Sequence, residues 1–419
     1  MELSTCFEYR TTQVESLNSD AQSMGVVGLT VPIVNEKTSK TDLSNNPRVP
    51  FYTMYRFIMT DLNRAEKYLE GYEQATKAHI NRPVVYGLKA RLWLDLASRF
   101  DREPDALAKQ MSAEGASDGY DDLGINSAMD CYAKAAEYAR KAIAGGNTPL
   151  TEDQWMNSKT GFNTPQSSWM LGTYVTSKEE VNTGYYYCTF IAQMTSEPTW
   201  GMARYGKAFR MIGKSLYDKI SDKDWRKNSW IAPEDAGKTD IPEKYRTELK
   251  GGDWSKLPAY TNLKFRPGSG SISTIETGLI ASLPIMRVEE MYFIRFEAIA
   301  HTESVAAAAN EMAAFLNAYR YTDGSYVCEA TDLDSFITEL MIQRRIEFWG
   351  EGINYFAYKR LGLPVARTYE GSNWLSSQRL NSKAGYTAPW MNYVIPEYEK
   401  DNNQGVILNP DPSGTILAD

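Results

Sequence analysis

The stretch Gln343–Gly362, which reads QRRIEFWGEGINYFAYKRLG, constrains the fold of this chain more than any other segment. Apolar residues upstream of it recur at the i, i+3, i+4, i+7 spacing of one helical face: Leu333, Phe336, Ile337 and Leu340. The spacing predicts a helix that enters from Thr331. Gly350 and Gly352 supply positive-φ positions at which a helix ends, and Tyr355–Tyr358 predicts a second short helix or turn that folds back.

Glu347 and Glu351 lie one helical turn apart in this stretch. Like charges at that spacing repel each other unless cations lie among them. The candidate cations are Arg344, Arg345, Lys359 and Arg360. Two carboxylates would also suit the acid and base of a glycosidase, but arginines on the same face would keep both carboxylates ionised. We therefore interpret the pair as part of a salt-bridged helix hairpin, and we predict no catalytic residues.

The same stretch resembles the C-terminal signature of the SusD/RagB-like proteins, roughly R-R-x-E-F-x-x-E-G-x-R-x-F-D-L-x-R-x-G. The positions that match are Arg344, Arg345, Glu347, Phe348, Glu351, Gly352, Phe356, Arg360 and Gly362. Asn354 stands where the signature has Arg, and Ala357-Tyr358 stands where it has Asp-Leu. Further segments resemble family elements in the same order along the chain: Thr30–Glu36, Tyr260–Pro267, Leu283–Tyr292 and Trp390–Pro396.

The resemblance implies a function as well as a fold. It implies a non-catalytic protein that binds glycans or other nutrient oligomers for delivery to a SusC-like TonB-dependent transporter. It also implies a lipoprotein on the outer-membrane surface of Bacteroidetes-type bacteria, with no cofactor. If Thr30–Glu36 aligns with the family's early extended segment, the chain begins partway into the family's N-terminal third. We therefore expect a truncated N-terminus that lacks the export signal and the anchoring cysteine.

The apolar periodicity predicts a mostly α fold with a tetratricopeptide-like scaffold of paired helices. We assign scaffold helices to residues 51–146 and 282–362, an irregular insertion to 147–281 and a tail to 363–419, all within a single domain, 1–419. Pro83 and Ser127 mark starts of scaffold helices, and another is introduced by Ser282 and Pro284. Ala203–Ile220 is the only helix that we predict inside the insertion.

The insertion carries most of the tryptophans of a chain that is 12% aromatic. Tyr and Trp combine a flat apolar face with a polar edge, which suits sugars, and irregular segments between scaffold elements often carry binding sites. Any single ring could instead pack the insertion onto the helices. As stacking platforms for a ligand we predict Trp169, Tyr185, Tyr186, Trp200 and Tyr205.

Charge and composition disfavour several classes of partner. The net charge of −8 argues against nucleic acid, which needs a basic surface, and against direct binding to acidic membrane surfaces. The chain has two histidines, His79 and His301, without ligand-like neighbours, so we predict no zinc site. Asp118, Asp121 and Asp122 could bind calcium, but they lack EF-hand spacing and we interpret them as a solvated loop. The sequence contains no apolar run of about 18 residues that would span a membrane.

Two alternative functions belong to other classes. A helical α/α-toroid glycoside hydrolase would share the helix pairs and the exposed rings, but it needs two carboxylates about 5–10 Å apart across a cleft. A tetratricopeptide-like scaffold would bind only protein. Release of reducing sugar would indicate the hydrolase, and capture of a partner protein without sugar binding would indicate the scaffold.

Overall fold

The computed structural model describes residues 1–181 and 183–415, and α-helices dominate this part of the chain, as the sequence predicts. The α-helices are, in chain order, α1 Glu2–Phe7, α2 Glu15–Ser23, α3 Lys40–Leu43, α4 Phe51–Tyr68, α5 Arg82–Arg102, α6 Pro104–Ala113, α7 Ala128–Ile143, α8 Glu152–Met156, α9 Phe190–Met194, α10 Met202–Tyr205, α11 Lys214–Tyr217, α12 Ile275–Gly278, α13 Val288–Thr302, α14 Val305–Tyr319, α15 Leu333–Glu347, α16 Asn354–Leu361 and α17 Glu397–Asn402. The 3₁₀ helices are Lys178–Glu180, Thr183–Cys188, Trp225–Ser229, Pro233–Asp235, Glu243–Tyr245, Gly251–Lys256, Gly268–Gly270, Ser376–Gln378 and Pro389–Met391. The two strands are β1 Trp169–Gly172 and β2 Pro284–Arg287.

The long scaffold helices begin and end close to their predicted positions. Helix α5 starts after Asn81, whose side-chain oxygen accepts a hydrogen bond of 3.2 Å from the N–H of Val84. Helix α7 ends just before Gly145, and Gly146 adopts a φ of +89°. These helices are confirmed because capping residues, glycines and apolar spacing all act locally.

Helix α15 begins at Leu333, two residues after Thr331, where the sequence predicts its start. Asp332, rather than Thr331, is the cap: its Oδ1 accepts from the N–H of Ser335 at 2.8 Å, and its own N–H donates to Ser335 Oγ at 3.2 Å. After the helix, Gly350 and Gly352 have φ values of +76° and +83°, as their predicted role requires.

The helix predicted from Ser282 begins later, because Pro284–Arg287 forms a strand. This strand pairs antiparallel with β1, with Trp169 opposite Arg287 and Gly172 opposite Pro284. Helix α13 then starts at Val288. Pairing with a distant strand overrides the local preference for a helix in this segment.

The helix predicted over Ala203–Ile220 is wrong. The chain forms α10 and α11 there, and an irregular segment separates them. Gly206 follows α10, Gly213 precedes α11, and Lys207 lies in the left-handed region with a φ of 48°. Glycine weakens a helix, and the left-handed backbone of Lys207 ends α10. The apolar spacing alone is therefore not enough to form one continuous helix over this segment.

Contacts divide the chain into two compact units. Unit 1 comprises Met1–Tyr68, Arg91–Lys134 and the chain from Ile353 onward, and unit 2 comprises Leu69–Ala90 and Ala135–Gly352. The single domain over residues 1–419 stays a prediction. No helix in the described ranges is both long and apolar enough to cross a membrane.

Unit 1 contains a buried lysine that links three segments of its chain. The Nζ of Lys359 on α16 donates to the carbonyl oxygens of Cys6 at 3.2 Å, Glu8 at 2.8 Å and Met391 at 2.7 Å. Burial and the nearby Arg10 guanidinium lower the pKa of Lys359 to about 7. The side chain therefore joins α16 to the N-terminal segment and to the tail.

The core of unit 2 extends into the irregular insertion. Helix α13 packs against α14 and α15, where the ring of Phe293 lies edge-on to Phe315 at 6.0 Å and to Phe348 at 5.4 Å. Separate apolar clusters hold the insertion, and Trp230 from the insertion packs against Trp349 at 5.8 Å. The insertion is therefore ordered by buried side chains where regular secondary structure is sparse.

Candidate ligand-binding surface

Glu347 and Glu351 both bind buried cations from other parts of unit 2. Glu347 accepts hydrogen bonds from Arg226 at 2.9 Å and from two guanidinium nitrogens of Arg320 at 2.8 and 2.9 Å. Arg287 binds Glu351 through two nitrogens, each at 2.9 Å, and Lys264 binds Glu351 at 2.7 Å. The prediction of a salt-bridged structure around the two glutamates is therefore correct.

These four cations come from outside the set predicted from the sequence, which was Arg344, Arg345, Lys359 and Arg360. Arg344 lies 3.9 Å from Glu290. Lys359 donates to backbone carbonyls in unit 1. The buried face of α15 packs against α13 and α14, so its glutamates meet cations that are distant in sequence. Local spacing identifies that the carboxylates need partners but does not identify those partners.

The electrostatics of Glu347 are unlike those of a catalytic acid. Its side chain is fully buried, and the cations Arg320, Arg287 and Arg226 hold its pKa well below the ordinary value despite desolvation. A glycosidase acid needs a raised pKa and access to the substrate. The Glu347 carboxylate is ionised and enclosed, so its role is structural.

The remaining signature residues also act in packing and chain reversal. Phe348 is buried and its ring lies 5.0 Å from the Arg287 guanidinium. Phe356 contacts the Tyr355 ring edge-on at 5.3 Å, and Gly362 ends α16 with a φ of 58°. Arg360 is buried within unit 1, and Arg345 belongs to α15.

The five predicted stacking rings fall into two groups. Trp169 and Trp200 are buried, with 0% and 2% of their surface exposed, so the structure corrects their assignment as ligand platforms. Trp169 lies in β1, and Trp200 packs in an apolar cluster with Ile191 and Leu279. Tryptophan carries the largest apolar surface, so it is the residue that orders an irregular segment best when buried.

The three predicted tyrosines lie at the surface. Tyr185 is 64% exposed and Tyr205 is 69% exposed, whereas Tyr186 is half-buried. The ring of Tyr186 lies edge-on to buried Trp200 at 6.2 Å and to Tyr187 at 6.0 Å. These three tyrosines stay predictions as ligand contacts, and buried Trp200 packs against one of them, Tyr186.

An open pocket in unit 2 is lined in part by residues of α10. Its volume is about 490 Å³, within the range of about 300–1,000 Å³ that is typical of small-ligand sites. Arg204, the neighbour of Tyr205 on α10, is one of its lining residues. The charged lining residues are Glu197, Arg204, Lys207, Asp253 and Lys256. The apolar lining residues are Pro198, Ala203, Phe209, Leu249 and Leu257. We call this cavity the α10 pocket.

Sequence reasoning missed the charged residues of the α10 pocket. Four of the five, Arg204, Lys207, Asp253 and Lys256, come from two short segments, MARYGK and GGDWSK, that each combine an aromatic residue with a cation and glycine; Glu197 lies outside both segments. That combination was a usable signal, because glycine bends the chain and leaves charged side chains at its surface.

The acidic loop of unit 1 binds an arginine. Arg56 is buried and lies 2.8 Å from Asp118 and 3.3 Å from Asp122. Asp121 accepts a hydrogen bond of 2.8 Å from Asn63. Within residues 1–181 and 183–415 there is no cluster of three His, Cys, Asp or Glu side chains suited to a metal ion.

Taken together, these features define a mostly α-helical protein with a buried ion-pair cluster and an open pocket in an aromatic-rich insertion. No protein-family model matches the chain, and no curated protein sequence matches it. Solved structures do match it at low sequence identity, and they are similar over almost its whole length.

Three such structures illustrate the similarity. A SusD-like carbohydrate binding protein from Bacteroides vulgatus ATCC 8482 is 19% identical, has a TM-score of 0.64, and the match covers 97% of this chain and 73% of that one. A SusD superfamily protein from Bacteroides thetaiotaomicron VPI-5482 is 18% identical and has a TM-score of 0.60, and the match covers 98% of this chain and 74% of that one. A SusD superfamily protein from Parabacteroides distasonis ATCC 8503 is 14% identical and has a TM-score of 0.57, and the match covers 90% of this chain and 73% of that one. The chain therefore has the SusD-like fold, and the resemblance seen in its signature is confirmed at the level of the fold.

Proposed function

We propose that this protein binds glycans without altering them, and that the α10 pocket and the surface tyrosines Tyr185, Tyr186 and Tyr205 form the binding surface. The observation that carries the proposal is the pocket itself, which combines apolar walls with charged side chains; one of them, Arg204, precedes the exposed Tyr205 on α10. Sugars present apolar faces and hydroxylated edges, so they match such a surface. One similar structure is described as a SusD-like carbohydrate binding protein, which supports this ligand class.

The proposal includes no catalytic step. The carboxylate pair in the signature, Glu347 and Glu351, is ion-paired with buried cations, which supports a binding role over hydrolysis. We also propose, from the family resemblance, that the protein works at the outer-membrane surface as a lipoprotein. There it delivers its ligand to a SusC-like TonB-dependent transporter.

Isothermal titration against a panel of oligosaccharides tests the binding proposal. We expect dissociation constants of about 1 µM to 1 mM, or about −8 to −4 kcal/mol, for at least one glycan. The variant Tyr205→Ala should weaken that binding, and Tyr68→Ala should not, because Tyr68 is equally exposed but lies on α4 in unit 1. No heat signal from any glycan would contradict the proposal.

Two further measurements address the alternatives and the partner. Incubation of the protein with the bound glycan should release no reducing sugar, and release would indicate the hydrolase. Co-purification from native outer membranes should recover a TonB-dependent transporter. Recovery of only a soluble protein partner, without glycan binding, would favour the tetratricopeptide-like interaction scaffold.

A further inference from the structure

We propose that the α10 pocket selects acidic oligosaccharides, and that Lys207 contacts the carboxylate or sulfate group of the sugar. This inference rests on the proposed function, because it specifies which glycans the same pocket takes.

The charges of the α10 pocket are biased toward the positive. Arg204, Lys207 and Lys256 line it together with Glu197 and Asp253. This excess of one cation occurs in a chain whose net charge is −8, so the pocket differs in sign from the chain as a whole. A local positive region in an acidic protein favours an anionic ligand and disfavours a cationic one.

One of the two carboxylates is already neutralised within the wall. Glu197 is buried, and Arg266 Nη1, which is also buried, donates to it at 2.6 Å. The hydroxyl of Thr247 donates to the same oxygen. Glu197 therefore contributes little repulsion toward an anionic group in the pocket.

The other carboxylate, Asp253, holds two of the three cations. It lies 3.0 Å from Lys256 and 3.6 Å from Arg204. The hydrogen bond and the charge of Lys256 lower the pKa of Asp253, so the group is ionised at neutral pH. Its charge offsets one of its two partners, which leaves the group of three with a net charge of +1.

Lys207 is the cation that remains for a ligand. Among the described residues, no hydrogen-bond or ion-pair partner of its side chain occurs, and the residue is exposed. Its backbone lies in the left-handed region, with a φ of 48°. A non-glycine residue in this region is strained, and such strain often accompanies a functional position. The conformation also sets where the side chain leaves the chain beside α10.

The apolar part of the lining suits a sugar better than a bare anion. Phe209, Leu249 and Leu257 line the same pocket, and Phe209 offers an aromatic ring. A simple ion would leave these surfaces unused, whereas a sugar ring with an acidic substituent can contact both the apolar residues and the lysine. The ligand class that fits all of these groups is an acidic oligosaccharide.

Paired titrations of the full chain test the inference. The first pair is an oligogalacturonate and its methyl-esterified, neutral form, and the second is a sulfated oligosaccharide and its desulfated form. We expect at least one acidic member to bind about fivefold or more tightly than its neutral counterpart at low salt. The preference should shrink between about 0.01 M and 0.5 M salt, because screening over a few ångströms weakens exposed charge pairs.

Three variants give opposite or null effects. Lys207→Gln should weaken binding of the acidic member about fivefold and leave binding of the neutral member unchanged. Asp253→Asn removes the negative charge and frees Arg204 and Lys256, so binding of the acidic member should strengthen by a similar factor. Lys219→Gln is the control, because Lys219 is also an exposed lysine of unit 2 but does not line the pocket. Circular dichroism melts should show that all three variants stay folded.

The outcomes separate this inference from the proposed function. Equal binding of acidic and neutral members would overturn the acidic preference, and no effect of Lys207→Gln would overturn the contact with Lys207; glycan binding stands in both cases. Polyglutamate is titrated as an anionic polymer that is not a sugar. Binding of polyglutamate with no binding of any glycan would overturn both proposals, as would no binding of any ligand. An acidic preference that falls in Lys207→Gln and rises in Asp253→Asn would support the inference.

Discussion

Arg320 and Glu347 form a buried two-point ion pair, with Nε 2.8 Å from Oε2 and Nη2 2.9 Å from Oε1. The same guanidinium donates to the carbonyl oxygen of Leu150 at 2.7 Å. Arg320 is the C-cap of α14 and Glu347 is the last residue of α15, while Leu150 belongs to the irregular insertion. One side chain therefore joins two scaffold helices to the start of the insertion within unit 2.

Replacement of Glu347 by Gln should destabilise the protein strongly. The variant leaves Arg226, Arg287 and Arg320 without their shared carboxylate in a fully buried site. Loss of one partner from a buried ion pair costs about 3–5 kcal/mol, because the remaining charges stay desolvated. Urea unfolding of the variant and the wild type measures the difference.

The matched control for that prediction is Glu311→Gln. Glu311 pairs with Arg295 at 2.7 Å, but both side chains are about one-third exposed. Solvent screens such a pair, so the change should cost less than about 1 kcal/mol. Equal effects of the two variants would show that burial of the Glu347 cluster has no special energetic role.

The stability of unit 1 should rise with pH above neutrality because of Lys359. Burial and Arg10 lower its pKa in the folded chain to about 7, from an ordinary value of 10.5. Between these two values the unfolded chain binds a proton that the folded chain does not, so the free energy of unfolding increases with pH. The contribution is about 1 kcal/mol per pH unit between pH 7.5 and 9.5.

Comparison of the wild type with Lys359→Met measures this contribution. The variant lacks the titrating group, so the wild-type advantage in unfolding free energy should grow from pH 7.5 to 9.5. A constant difference across this range would mean that Lys359 keeps its proton in the folded protein. The comparison depends on the slope, so a constant loss of stability in the variant does not affect it.

Replacement of Gly350 by Ala should destabilise the turn between α15 and α16. An alanine is strained at the φ of +76° that Gly350 adopts. Its added Cβ would also lie 2.5 Å from the Phe265 ring. Strain and overlap together should cost about 2–4 kcal/mol. Gly352→Ala isolates the strain, because Gly352 has a φ of +83° but no atoms within 4 Å of its added Cβ.

Thermal melts of both glycine variants measure the contrast. Gly352→Ala should cost about 1–2 kcal/mol, the usual effect of left-handed backbone on a residue with a Cβ. If the two variants have the same melting temperature, the ring of Phe265 moves aside freely and its close approach to Gly350 does not contribute to the loss of stability.

Trp200 and Tyr205 should respond to substitution in different ways. Trp200 is buried in the insertion, so Trp200→Ala should reduce the unfolding free energy by about 3–5 kcal/mol. Tyr205 is exposed, so Tyr205→Ala should change it by less than about 0.5 kcal/mol. In glycan titrations Tyr205→Ala should weaken binding about fivefold, the effect of one lost aromatic contact. Equal binding by Tyr205→Ala and wild type would show that Tyr205 is not part of the ligand-binding surface.

Much of the helical scaffold could be predicted because its signals are local. Helices α4, α5 and α14 follow from apolar spacing, and Gly350 and Gly352 mark the end of α15. The prediction of a helix from Ser282 was wrong because the segment pairs with β1, which is distant in sequence. For the candidate site, exposed Tyr205 was predicted, whereas the burial of Trp169 and Trp200 was not, because aromatic composition is the same for a buried and an exposed ring.

By itself, the sequence determined most of the scaffold helices, the glycine turns after α15 and the resemblance of Gln343–Gly362 to a family signature, since each depends on residues close along the chain. Only the tertiary structure decided the partners of Glu347, which are separated from it by 27 positions for Arg320 and 121 for Arg226. It also decided which rings face solvent and that Lys207 lines a pocket. Charge pairing and burial depend on distance in space, and a distance between residues far apart in sequence arises only when the chain folds.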